Sequence, residues 1–158
     1  MKTDEQYMRI ALDQAEWAYK RGEVPVGAVI ICKGEILSKA YNRPIKMNDP
    51  TAHAEILAIR KACRKIGNYR LCDVTLFTTL EPCVMCAGSI LHARINRVVY
   101  GTEDPKGGAL VSLHRLFDDQ RFNHNVEITG GVLKYHCQEI LHRFFQGKRI
   151  ISPSILPV

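Results

Sequence analysis

The chain has 158 residues, enough for one domain with a core of its own. Hydrophobic residues make up 46% of it, but no apolar run approaches the ~20 residues a bilayer crossing needs. Lys and Arg outnumber Asp and Glu by 22 to 16, and the resulting formal charge of +6 favours an anionic partner such as nucleic acid.

The polar, acidic start MKTDEQYMRI lacks the apolar stretch of a signal peptide, so a cytoplasmic location and no membrane association are expected. In that compartment the six cysteines are expected as buried, metal-bound or catalytic thiols, not as disulfides.

Thr3 and Gln6 form a capping-box pattern that opens a first helix. Met8, Ala11, Leu12, Ala15 and Ala18 give its apolar stripe, and Gly22 ends it. VPVGAVIICKGEILSKAYN reads as two strands around a Lys33–Gly34 turn, and NRPIKMNDP as a loop. A second helix spans roughly 53–66, with Thr51 as its cap and Ile56, Ile59, Cys63 and Ile66 on its apolar face. Arg60, Lys61, Arg64 and Lys65 fall elsewhere on that helix and read as a solvated face.

DVTLFTTL is a third strand, CVMCAGSILHA a third helix and NRVVYG a fourth strand. A polar, glycine-rich loop over 101–111 precedes a short strand, NVEIT, and a last helix near 134–147. The tail, with two prolines, is expected to be irregular. Strands alternating with helices after an initial hairpin imply a mixed sheet with helices on its faces.

Two fragments carry the chemistry. Cys83 and Cys86 fall on one face of the first turn of a helix, where the helix N-terminus favours thiolates and Pro82 fits the start. Such a pair can be a redox dithiol, half of a structural zinc site, or two ligands of a catalytic one. Cys32, Cys63 and Cys137 lie in a strand and on helices, where a small buried hydrophobe is the simpler reading.

There is no second Cys-x-x-Cys and no His-x-x-x-His to close a four-ligand finger. His53 with the two thiolates, leaving one position for water, is therefore the better count. His53 and Glu55 are ~200° apart on a regular helix, so both can approach one ion only if they straddle the helix start. Glu55 is then free to stand beside the metal without ligating it.

His53-Ala54-Glu55 followed by Pro82-Cys83-Val84-Met85-Cys86 resembles the H-x-E…P-C-x-x-C pattern of the zinc-dependent nucleobase deaminases, a class whose mechanism is established. The wider stretches VPVGAV, YNRPI, DPTAHAEI, NYRL, TLEPCVMCAGSI and FNHNVEITGGVL resemble the bacterial tRNA-specific adenosine deaminases, over about residues 4–149. The resemblance implies a three-layer α/β/α cytidine-deaminase-like fold with a central mixed five-stranded sheet. It implies one deaminase domain over 1–149, with 150–158 as a tail.

The implied reaction is hydrolysis of adenosine to inosine at the wobble position of a tRNA anticodon, with one Zn²⁺ per chain held by His53, Cys83 and Cys86. Glu55 is then the proton shuttle for a zinc-activated water, and an apolar setting raises its pKa into working range. Asn42 recognises the base edge, although a plain turn asparagine is its simplest reading, and Val26 and Ala54 are candidate apolar walls.

Asp104, Lys106, Asn123 and His124 are implied to flank the anticodon stem-loop. Phe144 and Phe145 are candidates for stacking on its bases, although two aromatics on an amphipathic helix also read as core. The resemblance further implies a homodimer. Against this stand a free-base or nucleoside deaminase with the same zinc chemistry, a non-catalytic RNA-binding module with structural zinc, and a redox protein built on Cys83 and Cys86.

Overall fold

A computed structural model describes residues 1–150, with the side chains described through Lys148. The expected tail lies at and beyond the end of that range.

Helix α1 (Asp4–Lys20) opens with the capping box read from the sequence, Gln6 N–H donating to Thr3 Oγ1 and Thr3 N–H to Gln6 Oε1. Strands β1 (Gly27–Cys32) and β2 (Glu35–Tyr41) form the expected antiparallel hairpin. Its turn residues Lys33 and Gly34 both take positive φ, the geometry that matches the twist of a tight hairpin. The segment read as a loop contains one helical turn, α2 (Pro44–Met47). Its start is held by the Glu23 carboxylate, which accepts from the backbone N–H of Ile45 (3.0 Å) and Lys46 (2.9 Å). No local sequence pattern announces a cap supplied from 22 residues away.

Helix α3 (Ala54–Ile66), strand β3 (Val74–Leu80), helix α4 (Val84–Ala93) and strand β4 (Arg97–Thr102) follow as read. A 3₁₀ turn at Leu116–Asp118, a short β5 (Glu127–Thr129) and helix α5 (Lys134–Ile150) complete the described chain. On α3, Ile66 is exposed, and the buried face is built instead from Ala54, Glu55, Ile56, Leu57, Ala58, Ile59 and Ala62. Arg60, Lys61, Arg64 and Lys65 are all exposed, a solvated face as read.

The sheet has five strands in the order β2-β1-β3-β4-β5. β1 is antiparallel to both neighbours, while β3, β4 and β5 are parallel. Alternating side chains divide the core in two. Ala28, Ile30, Leu76 and Val98 face α3 and α4, whereas Val29, Ile31, Phe77 and Val99 face α1 and α5. The result is a three-layer α/β/α arrangement with a mixed central sheet, as expected. Close approach of α1 demands Gly27, since a Cβ there would overlap the Ala11 carbonyl.

Because β1 reverses direction on both sides, β2 runs parallel to β3. The chain therefore leaves β2, β3 and β4 at one edge of the sheet, after Tyr41, Leu80 and Thr102. Crevices outside the carboxyl ends of parallel strands are where such folds build sites.

Candidate active site

At this edge the N-termini of α3 and α4 meet. His53 is the N-cap residue of α3 and Cys83 that of α4, both in extended conformation, and neither side chain caps its helix. Each turns toward the other instead. His53 Nδ1 lies 3.6 Å from Cys83 Sγ and 3.5 Å from Cys86 Sγ, and the three candidate ligand atoms lie within 4.8 Å of one another. A tetrahedral ion with Zn–S of ~2.3 Å and Zn–N of ~2.05 Å sets N···S separations of ~3.6 Å, so this donor set fits zinc. Among the described residues it is the only such cluster of His, Cys, Asp and Glu. Cys32, Cys63, Cys72 and Cys137 are free and outside it.

The electrostatics are those of a cation site. The Cys83 thiol is pulled down to about 4 by the hydrogen bond from Cys86, with a further contribution from His53. Cys86 moves up, because its proton is held in the hydrogen bond to Cys83 and because it is buried, with the neighbouring charges of Glu55 and Cys83 adding to the effect. The interaction with Cys83 raises His53. A dication supplies the charge that lets both thiols ionise.

Glu55 stands beside this cluster, in the first turn of α3 and two residues past the N-cap. Its carboxyl is 3% exposed, and burial raises its pKa. One oxygen is 3.5 Å from Cys86 Sγ, and the other is 3.2 Å from Thr78 Oγ1. Thr78 Oγ1 also lies 3.2 Å from the Leu80 carbonyl. The single hydroxyl proton serves one acceptor at a time. It goes to Glu55 as a carboxylate, or to Leu80 when a protonated Glu55 donates to the hydroxyl. The contact thus accommodates Glu55 in both protonation states.

Thr51, the expected cap, is engaged elsewhere, its N–H and hydroxyl both bonding to Asp49 Oδ1. The first amide of α3, Ala54 N–H, is satisfied by Asn42 Oδ1 at 2.8 Å. Asn42 is buried, and its backbone N–H donates to the Val26 carbonyl (3.1 Å). Val26, Asn42 and Ala54 therefore converge next to His53. Asn42 is more than a turn residue. Its oxygen positions α3, and its Nδ2 bonds to no described residue.

Sequence reading missed Glu81. This carboxylate, 2% exposed, accepts from the backbone N–H of Asp104 (3.1 Å), Leu110 (3.0 Å), Val111 (2.9 Å) and Ser112 (3.1 Å), and from the Ser112 hydroxyl. Burial pushes it up, but these hydrogen bonds outweigh burial and leave it below the usual carboxylate range. Ala109 N–H donates to the Pro82 carbonyl (2.9 Å), so the 103–112 loop is fastened one residue from Cys83. A Cβ at Gly108 would overlap the Glu81 carboxylate. The only sequence signal was an acid directly before the Pro82-Cys83 helix start.

The remaining candidates are dispersed. Asp104 and exposed Lys106 lie on the fastened loop, Asp104 Oδ1 accepting from Lys106 N–H (3.0 Å). Asn123 and His124 are at the opposite edge of the sheet. Asn123 Oδ1 accepts from Arg94 (2.9 Å), and His124 Nε2 pairs with the Ile95 carbonyl (2.7 Å), just past the C-terminus of α4. The ten residues of α4, ~15 Å long, separate them from Cys83. Phe144 is buried against Tyr19, whereas Phe145 is 47% exposed. The stacking expectation therefore passes to Phe145 alone, since a ring packed in the core has no free face.

Residues 1–102 match the cytidine and deoxycytidylate deaminase zinc-binding region. The chain is 50% identical over 147 residues to the tRNA-specific adenosine deaminase of Haemophilus influenzae, an alignment covering 92% of this chain and 85% of that protein. The chain belongs to the tRNA-specific adenosine deaminase family. A solved structure from studies of A-to-I editing by tRNA:A34 deaminases at the wobble position of transfer RNA superposes with a TM-score of 0.84. It shares 44% identity and covers 86% of this chain and 99% of its own. The guanine deaminase of Bacillus subtilis is more distant, at 32% identity and a TM-score of 0.63, covering 99% of this chain and 100% of that one. Family membership brings a zinc-binding deaminase domain, and the expected fold and zinc chemistry stand.

Proposed function

We propose that the chain hydrolyses adenosine to inosine at the wobble position of a tRNA anticodon, releasing ammonia. The observation that carries this reading is the buried carboxyl of Glu55 beside a three-donor cluster, in a chain half identical to a tRNA-specific adenosine deaminase. His53, Cys83 and Cys86 would hold one zinc ion through three protein donors. Zinc bound there supplies Lewis acidity that activates water as a nucleophile near neutral pH.

The chain's own groups do the rest. Glu55 accepts a proton from the attacking water and delivers it to N1 of adenine so that C6 becomes electrophilic; it then takes the second proton from the new C6 hydroxyl and passes it to the amino group, which leaves as ammonia. Its raised pKa suits a group that must both take and give a proton. Asn42 holds Ala54 through its oxygen and donates to the purine through Nδ2. Val26 and Ala54 wall the base. Lys106 and Asp104 contact RNA outside the pocket, Phe145 stacks on a neighbouring base, and Asn123 and His124 contact backbone farther away.

The domain comprises residues 1–149 and works as a homodimer in the cytoplasm. Among the described residues no helix is long and apolar enough to cross a membrane. The test is inosine formation on an anticodon stem-loop with adenosine at the wobble position, run beside free adenosine, cytidine and guanine. Turnover of the stem-loop alone is expected. Equal or better turnover of a free base or nucleoside would refute the tRNA assignment.

A further inference from the structure

A second cationic feature lies at the same sheet edge as the site, directly before Asn42. Trp17 and Tyr41 alternate with three cations. Lys20 Nζ lies 5.5 Å from the Trp17 ring centroid, and the Arg21 guanidinium carbon lies 4.5 Å from Trp17 and 5.6 Å from Tyr41. The Arg43 guanidinium lies 5.6 Å from Tyr41. Arg21 is fixed further by donating from Nη1 to the Trp17 carbonyl at 3.2 Å.

Arg21, Tyr41, Arg43 and Lys46, with Glu23, line a cavity of about 300 Å³. Glu23 is the one acid in it, and both its oxygens are taken by the backbone N–H groups of Ile45 and Lys46. None of Lys20, Arg21, Arg43 and Lys46 forms a salt bridge among the described residues. Arg43 Nε is buried and bonds to no described residue.

This differs from an ordinary solvated charge face. Arg60, for comparison, is on such a face and meets Asp49 at 3.9 Å. Aromatic faces within cation–π range hold these cations in place, and a guanidinium so held keeps further N–H donors that match phosphate oxygens. Alternating aromatic faces and uncommitted cations are what a single-stranded nucleic acid requires, since bases stack and phosphates pair without regard to sequence.

We propose that Trp17, Lys20, Arg21, Tyr41, Arg43 and Lys46 form a binding surface for single-stranded RNA, holding the strand where it enters the pocket on the Asn42 side. This rests on the reading of RNA as the substrate, and it assigns that RNA a track separate from Lys106 and Phe145. Tyr41 is one residue from Asn42, so a strand seated on the ladder leads directly to the base-binding position. The track does not touch the reacting atoms. Its effect is on KM and on salt dependence.

The experiment uses the zinc-loaded full chain and two probes: an oligouridylate, which contains no adenosine, and the anticodon stem-loop. Trp17 is the single tryptophan, so its emission reports the ladder directly. Quenching by oligouridylate is expected, together with weaker binding of both probes by the Lys20→Gln/Arg21→Gln pair and by Tyr41→Leu. Each lost phosphate contact should flatten the slope of log K against log salt by about 0.7. For the stem-loop, KM should rise severalfold while kcat stays within about twofold and zinc content is unchanged.

Unchanged Trp17 emission on adding oligouridylate, or variants that bind both probes like the native chain, would overturn the proposal. So would variants whose sedimentation shows lost self-association, since the ladder would then be an interface between copies. The oligouridylate arm stands apart from the reaction. If oligouridylate binds through the ladder but the stem-loop is not deaminated, the tRNA reading fails and the RNA surface remains.

Discussion

Glu81→Gln is the most informative single change, because the structure dictates which hydrogen bonds survive. The amide nitrogen must replace one carboxylate oxygen. At Oε2 it would face three N–H donors, from Leu110, Val111 and Ser112. At Oε1 it faces only the Asp104 N–H and the Ser112 hydroxyl, which can rotate to accept. Gln should therefore keep its oxygen toward residues 110–112 and orphan the Asp104 amide. A hydrogen bond to a charged group contributes about 1.5–3 kcal/mol, and the three survivors lose their charge assistance, which roughly halves their strength.

Allowing for partial exposure of Asp104, the expected loss is about 3 kcal/mol. For a domain of this size each kcal/mol shifts Tm by roughly 2–4 °C, so a fall of about 6–12 °C is expected in calorimetry. Amide exchange should accelerate first at 110–112. If the loop opens locally before the domain unfolds, the loss will be seen in exchange more than in Tm.

The pH dependence has a definite sign. Glu81 is held below its ordinary value, so its contribution is complete at neutral pH and above the unfolded-state value. It is lost as pH falls through the folded-state value, and Glu81→Gln should flatten that acid limb. A Tm within about 2 °C of the native chain, with exchange at 110–112 unaltered, would refute the account of the loop.

Glu55→Gln should retain zinc by metal analysis and lose ~10²–10⁴ in kcat, the worth of a positioned proton shuttle. Activity within a few-fold of the native chain would leave Glu55 merely a first-turn helix charge. Thr78→Val should lower kcat about tenfold, since it removes one hydrogen bond to a carboxyl that changes protonation state, while Thr78→Ser restores most of it; equal kcat in both variants would deny Thr78 a positioning role. Asn42→Asp should preserve Tm, because an oxygen still accepts from Ala54 N–H, but lose substrate turnover with the missing Nδ2 donor. Asn42→Ala should lose both, and an active Asn42→Asp would count against base recognition. Chelation of the zinc should lower Tm while leaving the circular dichroism of the sheet in place, because neither core cluster includes His53 or Cys83.

Elements whose signal is local were legible in the chain: the capping box at Thr3, the Lys33–Gly34 turn and the strands on either side of it. So was the union of His53 with Cys83 and Cys86, because residue types and ligand count constrain zinc more tightly than position does. What escaped the sequence was supplied across long separations. Asn42, twelve residues away, replaces Thr51 as the group that satisfies the start of α3. Glu23 holds a helical turn that its own residues would not form. Thr78 and Glu81 look like any strand-end polar residues until their partners 23 to 31 positions away are placed beside them. Ile66 has the right spacing for the apolar face, but it is the last residue of α3 and is exposed.

The distribution of candidate residues follows from strand direction. Four parallel strands deliver their carboxyl ends to one edge, so the connections after Tyr41, Leu80, Thr102 and Thr129 must all lie there. Those connections carry Asn42, Cys83 and the loop held by Glu81. Both helices that start at this edge point their N-termini at the cluster, which favours the thiolates a dication needs. Asn123 and His124 precede β5, a strand parallel to β4, and so belong to the opposite edge whatever their side chains do. Any RNA contact they make is therefore at least a helix length from the chemistry. Replacing them should alter how tightly a stem-loop is held and leave the proton transfers at Glu55 untouched. Residues near Tyr41, on the near edge, can affect how the strand enters the pocket.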